Sequence, residues 1–228
     1  MTIKACVFDA YGTLFDVAAA ARHVAADPAR ADFAAQWPKI AADWRDRQLQ
    51  YSWLRAITGH HCDFWQVTQD GLDWALEAAG FADDADLRAA LLGLYWQLEA
   101  FAEVPAVLDR LTKAGLRCAI LSNGSADMLN GAVSSAGIGG YLDAVLSVDE
   151  VGVFKPADAV YALVPQHLSC TAGEVLFVSS NGWDAAGAAA FGFQTAWVNR
   201  AGAPTDRLFA QPQHICRDLT DIPKLAGV

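Results

Sequence analysis

The sequence is poor in charged residues and lacks any long hydrophobic run. Only 18% of its 228 residues are charged and 54% are hydrophobic, a balance that excludes a disordered chain and predicts a packed core. No apolar stretch approaches the roughly 20 residues that cross a bilayer. The apolar N-terminal run stops at Asp9, which makes it too short for a signal peptide. We therefore expect a cytoplasmic protein that has no membrane partner.

Paired cysteines and an excess of basic residues are also missing. The five cysteines are scattered without a Cys-x-x-Cys pair, which argues against a disulfide framework and against a zinc site. The net charge of −10 argues against a nucleic-acid partner, because binding to phosphates needs a basic face. For the same reason, an anionic substrate must be held by local cations against the overall field.

Short apolar runs alternate with helical patterns along most of the chain. The runs lie at residues 3–8, 116–121, 144–148, 175–178 and 195–198. Helical spacing follows in the segment from Val104 to Leu111 and again over residues 157–168 and 183–191. This alternation predicts an α/β fold with a Rossmann-like parallel sheet covered by helices on both faces.

The segment between the first two predicted strands is too long for a simple connection. One crossover helix needs about 10–12 residues, whereas this segment carries several helical patterns of its own, including the stripe of Phe33, Trp37, Ile40 and Trp44. We therefore predict a helical cap subdomain at residues 16–98, inserted into a core domain formed by residues 1–15 and 99–228.

Polar side chains cluster where the predicted strands end. In an open parallel sheet the carboxyl ends of the strands are the usual place for ligands. Any one of these residues has an ordinary explanation as a helix cap or loop residue, but four adjacent loops that each present one favour a functional site. The residues are Asp9, Ser122, Asn123, Lys155, Ser179, Ser180, Asn181 and Asp184.

The same residues resemble the motifs of the haloacid dehalogenase superfamily. The matching segments are Asp-Ala-Tyr-Gly-Thr at 9–13, Ile-Leu-Ser-Asn-Gly at 120–124, Lys-Pro at 155–156 and an acidic fourth motif near Asp184. Two further segments, Trp-Arg-Asp-Arg-Gln-Leu at 44–49 and Phe-Val-Ser-Ser-Asn-Gly-Trp-Asp at 177–184, resemble the (S)-2-haloacid dehalogenase branch. The resemblance implies that Asp9 is a covalent nucleophile.

The residue at position 11 distinguishes this branch from the superfamily's phosphatases. Phosphatases carry an aspartate there, which protonates the leaving group and helps to bind magnesium, whereas this sequence has Tyr11. A phenol with a reference pKa of about 10 is a poor acid at neutral pH, and a halide leaves without a proton. We therefore expect no metal and no cofactor. The alternatives are a magnesium-dependent phosphatase and a non-enzymatic interaction protein that has kept the fold.

The resemblance implies a reaction and roles for individual residues. The reaction is hydrolysis of an (S)-2-haloalkanoate to an (R)-2-hydroxy acid and halide, through an ester on Asp9 that is formed with inversion. Arg45 would bind the departing halide, beside an apolar wall of Leu49 and Phe64. Ser122, Asn123 and the amides of Ala10 and Tyr11 would bind the substrate carboxylate.

The remaining implied roles concern the nucleophile and the hydrolytic water. Lys155 would offset the negative charges of two carboxylates, that of Asp9 and that of the substrate, and Asp184 would activate the water. The other implied site residues are Thr13, Ser179 and Asn181, which position Asp9 and the water, Tyr161, which assists catalysis, and Trp183, which lines the pocket. The family also implies a homodimer.

Overall fold

The core of the protein is a six-stranded sheet in which every neighbouring pair of strands is parallel. The computed structural model describes residues 2–17, 22, 24–96 and 98–228. The strands are β1 (Ala5–Phe8), β2 (Arg117–Ser122), β3 (Ala144–Ser147), β4 (Val175–Ser179), β5 (Gln194–Val198) and β6 (His214–Cys216). Their order is β3-β2-β1-β4-β5-β6, which confirms the predicted α/β fold and places the change of winding direction between β1 and β4.

The sheet is buried on both faces, as its uninterrupted apolar strands predict. All four residues of β1 are fully buried. Ala5 and Val7 belong to one hydrophobic cluster, whereas Cys6 and Phe8 belong to the cluster on the opposite face. The sequence prediction missed β6, since this three-residue edge strand contains the exposed Ile215 and has no apolar run.

Three α-helices whose bounds the structure describes lie within residues 16–98, the segment predicted as a cap. They are α1 (Ala31–Thr58), α2 (Phe64–Ala79) and α3 (Ala85–Leu94). The predicted stripe on α1 buries Phe33, Ile40 and Trp44 but leaves Trp37 only partly buried. Of the segment predicted as a cap, residues 18–21, 23 and 97 lie outside the described residues.

Two crossing segments, one on either side of the segment predicted as a cap, lie next to each other. The backbone N–H of Asp16 donates to the carbonyl of Glu99 at 3.0 Å, and the N–H of Phe101 donates to the carbonyl of Leu14 at 2.9 Å. The two crossing segments are therefore bonded to each other, beside the loop that follows β1.

The remaining helices cover the sheet. They are α4 (Val104–Lys113), α5 (Ala126–Ser135), α6 (Asp158–Tyr161), α7 (Leu163–Leu168), α8 (Gly182–Phe191) and α9 (Ile222–Leu225). The single helix predicted over residues 157–168 is thus interrupted at Ala162, which separates α6 from α7. Within the described ranges, no helix combines the length and the hydrophobicity that a membrane span requires.

Candidate active site

Asp9 follows β1 directly at the carboxyl edge of the sheet. Its backbone N–H donates to the carbonyl of Val178 on β4 at 2.9 Å, which extends the strand pairing by one residue. The chain then turns through Gly12, whose φ of +81° is a left-handed conformation that favours glycine. The turn leaves Asp9 only 6% exposed, beside the point where the winding direction of the sheet changes.

One oxygen of the Asp9 carboxylate accepts hydrogen bonds from three side chains. The Thr13 hydroxyl and the Asn181 amide each donate to Asp9 Oδ2 at 3.0 Å, and the Ser179 hydroxyl donates to it at 3.4 Å. Thr13 and Ser179 are fully buried. The donors come from the β1 loop and from the end of β4, so the parallel pairing of these two strands brings them together.

The other Asp9 oxygen faces a buried lysine that also contacts a second carboxylate. Lys155 Nζ lies 3.2 Å from Asp9 Oδ1 and 2.9 Å from Asp184 Oδ2. Burial by itself would lower the pKa of Lys155, but the neighbouring Asp184 and Asp9 carboxylates outweigh it and raise that pKa. Lys155 therefore stays charged, and its charge stabilises two carboxylates of the protein itself.

Asp184 is completely buried in the first turn of α8. Burial raises its pKa above the usual value, although Lys155 opposes this effect. A raised pKa makes a carboxylate a stronger base. The Tyr161 hydroxyl donates to Asp184 Oδ1 at 2.8 Å, and burial followed by the Asp184 charge keeps the pKa of Tyr161 well above 10. Tyr161 is therefore a permanent hydrogen-bond donor to Asp184.

Ser122 is the last residue of β2 and Asn123 follows it, and both are buried. The Ser122 hydroxyl accepts a hydrogen bond from the Gly124 N–H at 3.1 Å, and Asn123 Oδ1 accepts one from the Lys155 N–H at 2.9 Å. Because these bonds use the side-chain oxygens as acceptors, the Ser122 hydroxyl and the Asn123 amide nitrogen can donate to an anionic ligand.

These side chains border a cavity of about 160 Å³ between the sheet edge and α1. Ten of the residues proposed from the sequence line it: Asp9, Tyr11, Arg45, Leu49, Phe64, Ser122, Asn123, Lys155, Asn181 and Trp183. Of the other proposed residues, Ser180 is partly buried and five are fully buried, and none of the six lines the cavity. The five buried residues are Ala10, Thr13, Tyr161, Ser179 and Asp184. The site therefore has a layer that faces a ligand and a layer behind it that holds the first in place.

Arg45 is the cation that α1 supplies to the cavity. Its Nη2 donates to Asn181 Oδ1, while the amide nitrogen of the same asparagine donates to Asp9. Asn181 thus connects the cation to the nucleophile candidate. Arg45 itself is an exposed residue, so this side of the cavity is open to solvent.

Part of the cavity wall on α1 was not predicted from the sequence. Ala41, Trp44 and Gln48 line the cavity together with Arg45 and Leu49. These positions follow the spacing i, i+3, i+4, i+7 and i+8, which marks one face of a helix. The helical spacing alone was therefore sufficient to predict that Gln48 lines the cavity beside Arg45.

Gln48 belongs to a buried polar network that no sequence motif indicates. Its amide nitrogen donates to Thr68 Oγ1 at 2.9 Å and to the Tyr95 hydroxyl oxygen at 3.1 Å. Trp44 Nε1 donates to the carbonyl of Thr68 at 2.8 Å. The network ties three helical segments together, and it fixes Trp44, Gln48 and Tyr95 in the cavity wall.

Tyr11 occupies the position where the phosphatases carry an acid. Its ring stacks on Phe64 with centroids 6.0 Å apart, and its buried hydroxyl has no hydrogen-bond partner among the described residues. Burial, then the nearby Tyr95 and Asp9, raise the pKa of Tyr11 well above 10. Tyr11 therefore remains a neutral phenol and is an even weaker acid than its sequence position implied.

Trp183 lines the cavity on the side of α8. Its ring packs edge-on against Trp53 of α1, with centroids 5.4 Å apart, and its buried Nε1 has no hydrogen-bond partner in the part of the chain that the structure describes. Among the residues with described coordinates, no group of three or more His, Cys, Asp or Glu side chains is arranged to hold a metal ion. The positive charge between Asp9 and Asp184 is that of Lys155.

Comparison with known proteins agrees with this geometry. Residues 3–192 match the family of haloacid dehalogenase-like hydrolases. The chain is 42% identical to (S)-2-haloacid dehalogenase 1 of Pseudomonas sp. (strain CBS-3), over 98% of this chain and 96% of that protein.

Two solved structures are similar over almost the whole chain. A crystal structure of an L-2-haloacid dehalogenase superposes with a TM-score of 0.91 at 41% identity, and all of both chains is covered. The L-2-haloacid dehalogenase of Xanthobacter autotrophicus with chloropropionic acid covalently bound gives a TM-score of 0.87 at 39% identity, over 99% of each chain. This chain therefore belongs to the haloacid dehalogenase-like hydrolases, in the branch of the (S)-2-haloacid dehalogenases.

Proposed function

We propose that this protein hydrolyses (S)-2-haloalkanoic acids to (R)-2-hydroxyalkanoic acids and halide. The observation that carries the proposal is the buried Asp9 carboxylate, which borders the same cavity as the Arg45 cation. Tyr11, a neutral phenol, lines this cavity at the position where the phosphatases carry an acidic residue. The relatives that carry this activity cover nearly the whole chain. The Xanthobacter autotrophicus structure with covalently bound chloropropionic acid supports an intermediate attached to the enzyme.

The first step is attack by Asp9 on the α-carbon of the substrate. Asp9 Oδ2 is held by three donors, whereas among the described residues only Lys155, at 3.2 Å, donates to Oδ1, so we assign the attack to Oδ1. The Oδ1–carbon bond forms as the carbon–halogen bond breaks, and the halide leaves with the bonding electrons. This single displacement inverts the α-carbon, so an (S)-haloacid gives an (R)-hydroxy acid.

Arg45 stabilises the departing halide, with Leu49, Phe64 and Trp183 as the apolar wall of that subsite. A guanidinium carries a permanent charge and several fixed donors, and the bond to Asn181 orients it. The substrate carboxylate binds to Ser122, Asn123 and the backbone amide of Tyr11, whereas Ala10 does not line the cavity.

The second step is hydrolysis of the ester at the Asp9 carbonyl carbon. Oδ2 is then the carbonyl oxygen, and its donors Thr13, Ser179 and Asn181 become an oxyanion hole for the charge that develops there. Asp184 takes a proton from the attacking water and passes it to the departing Oδ1. The water oxygen stays on Asp9, its second proton goes to solvent, and the hydroxy acid carries away the original Oδ1.

We also propose that residues 16–98 act as the cap of a core domain formed by residues 1–15 and 99–228. The paired crossing segments at Leu14–Phe101 and Asp16–Glu99 support this division. The cap then supplies Arg45, Leu49 and Phe64, whereas the core supplies the nucleophile and the residues that hydrolyse the ester.

We propose that the protein is a homodimer and that it is located in the cytoplasm. Leu54 and Ile57 on α1 are 52% and 82% exposed, and burial against a second copy would remove this apolar surface from water. All five cysteines, which lie within the described ranges, are unpaired, as is usual in a reducing compartment. Light scattering on the purified protein tests the dimer through a mass of twice 24.3 kDa.

The decisive experiment follows halide and oxygen together. Wild-type protein is incubated with (S)-2-chloropropionate and a chelator in ¹⁸O-water at less than one substrate per enzyme. We expect full halide release, unlabelled (R)-lactate and ¹⁸O in the peptide that contains Asp9, whereas Asp9→Asn releases no halide. Label in the first lactate would mean direct attack by water on the substrate. Absence of halide release, or magnesium-dependent hydrolysis of a phosphate ester instead, would overturn the proposal.

A further inference from the structure

We propose that Gly187 is a positioning residue for the hydrolysis of the ester. It leaves the space that the Tyr161 hydroxyl needs in order to hold Asp184. The inference rests on the proposed role of Asp184 as the base, and it adds a residue that no motif and no lining position of the cavity identifies.

The sequence of α8 makes Gly187 unexpected. The helix reads Gly-Trp-Asp-Ala-Ala-Gly-Ala-Ala-Ala-Phe, so Gly187 stands among five alanines. Alanine is the best helix former and glycine among the poorest, and Gly187 has a helical backbone that any residue adopts. Neither helix propensity nor backbone conformation therefore accounts for a glycine here, which leaves space as the reason.

The space beside Gly187 is filled by a tyrosine side chain. A Cβ atom at Gly187 would lie 2.5 Å from the Tyr161 hydroxyl oxygen, 3.2 Å from Tyr161 Cζ and 2.8 Å from Pro156 Cβ. When a Cβ atom would lie less than 3.0 Å from another heavy atom, that neighbouring atom or the backbone of the substituted residue must shift. Tyr161 has no free room for this, because it is fully buried and its ring packs edge-on against Phe177 and Phe193 at 5.8 and 6.1 Å.

The contact that would be lost is the one to Asp184. Asp184 lies three residues before Gly187, so both are on the same face of α8. The Tyr161 hydroxyl, which lies over that face, donates to Asp184 Oδ1 at 2.8 Å and approaches its backbone carbonyl at 3.3 Å. Lys155 holds only the other carboxylate oxygen, so a displaced Tyr161 hydroxyl would leave the base held at one oxygen instead of two.

The test is Gly187→Ala, with the two chemical steps measured separately. We expect ester formation within threefold of wild type and ester hydrolysis at least tenfold slower. Rapid mixing with (S)-2-chloropropionate should then give a burst of one halide per active site, and quenched samples should show the adduct on the Asp9 peptide. Gly93→Ala is the matched control, since this glycine also lies inside a helix and a Cβ there meets nothing within 4 Å. Equal slowing of both steps, or no slowing, would overturn the inference.

A double-mutant cycle separates the hydroxyl contact from a general disturbance of α8. Tyr161→Phe removes the atom nearest to the new Cβ and leaves the Pro156 contact in place. If Gly187 acts through the hydroxyl, Gly187→Ala should slow hydrolysis less than threefold in the Tyr161→Phe background. The same tenfold loss in both backgrounds would contradict the proposed route.

The same cycle measured by thermal unfolding does not depend on activity. We expect Gly187→Ala to lower the unfolding midpoint more in the wild-type background than in the Tyr161→Phe background, because the closest clash is absent from the second. Equal shifts would overturn the assignment of the space to Tyr161. A wild-type protein without halide release would overturn the proposed function instead, so the two failures are distinguishable.

Discussion

Replacing Lys155 with methionine would leave two buried carboxylates without the cation that they share. Lys155 is 1% exposed, Asp184 is fully buried and Asp9 is 6% exposed. Methionine is similar in length and apolar, so the change removes the charge while it largely fills the volume.

The cost follows from the desolvation of the remaining charges. Removing one partner of a buried ion pair typically destabilises a protein by about 3–5 kcal/mol, because the other charge stays buried without compensation. Here one lysine serves two carboxylates at 3.2 and 2.9 Å, so we expect a loss of about 4–5 kcal/mol at neutral pH, near the upper end of that range. Lys155→Met combined with Asp184→Asn removes one of the two charges and should recover part of the loss.

The loss should depend on pH in a defined direction. Lys155 lowers the pKa of Asp184, so its removal raises that pKa further above the value of about 3.9 in the unfolded chain. The folded variant then binds a proton more tightly than the unfolded chain, and its stability rises as the pH falls through the folded-state pKa. The stability gap to wild type is therefore largest at neutral pH and narrows on acidification.

Urea unfolding between pH 4.5 and pH 8 measures both effects. Lys39→Met is the control, because Lys39 is 71% exposed and pairs with Asp43 at the surface, where an ion pair contributes little. A Lys155→Met variant as stable as wild type, or a gap that widens on acidification, would refute the view that Lys155 neutralises this pair.

Two further predictions concern turnover. Tyr161→Phe removes a hydrogen bond that lowers the pKa of Asp184. Because the base must be ionised, the acid limb of the pH profile of kcat for (S)-2-chloropropionate should move to higher pH. An acid limb at the same or a lower pH would contradict this role. Arg45→Lys loses the fixed donor pair of the guanidinium, and at about 1.5–3 kcal/mol for a bond to a charged group we expect halide release to fall roughly 10- to 100-fold. Arg47→Lys, whose guanidinium instead stacks 3.7 Å over the Trp74 ring, is its control and should release halide near the wild-type rate.

Much of the core could be predicted from the sequence because the relevant signals are local. A strand that is buried on both faces must be largely apolar, as in β1 and in β4 before Ser179. A helix that covers it must repeat its apolar residues every three or four positions. Several site residues were found for the same reason, since Asp9, Asn123 and Ser180 directly follow a strand. The edge strand β6 and the break at Ala162 were not predicted, because neither changes the pattern of hydrophobic residues along the chain.

The contacts that make these residues a site are decided by the tertiary structure. Lys155 and Asp9 are 146 residues apart along the chain, and only the parallel pairing of β1 between β2 and β4 brings their loops together. The sequence supplied Lys155 as a charge near the nucleophile, but its second partner, Asp184, depends on how α8 packs. The hydrogen-bond network of Gln48, Thr68 and Tyr95 likewise depends on packing, and so does the space beside Gly187 that Tyr161 fills. The sequence determines which side chains are available and which face each occupies, whereas distances between residues far apart in the chain are set when the elements pack.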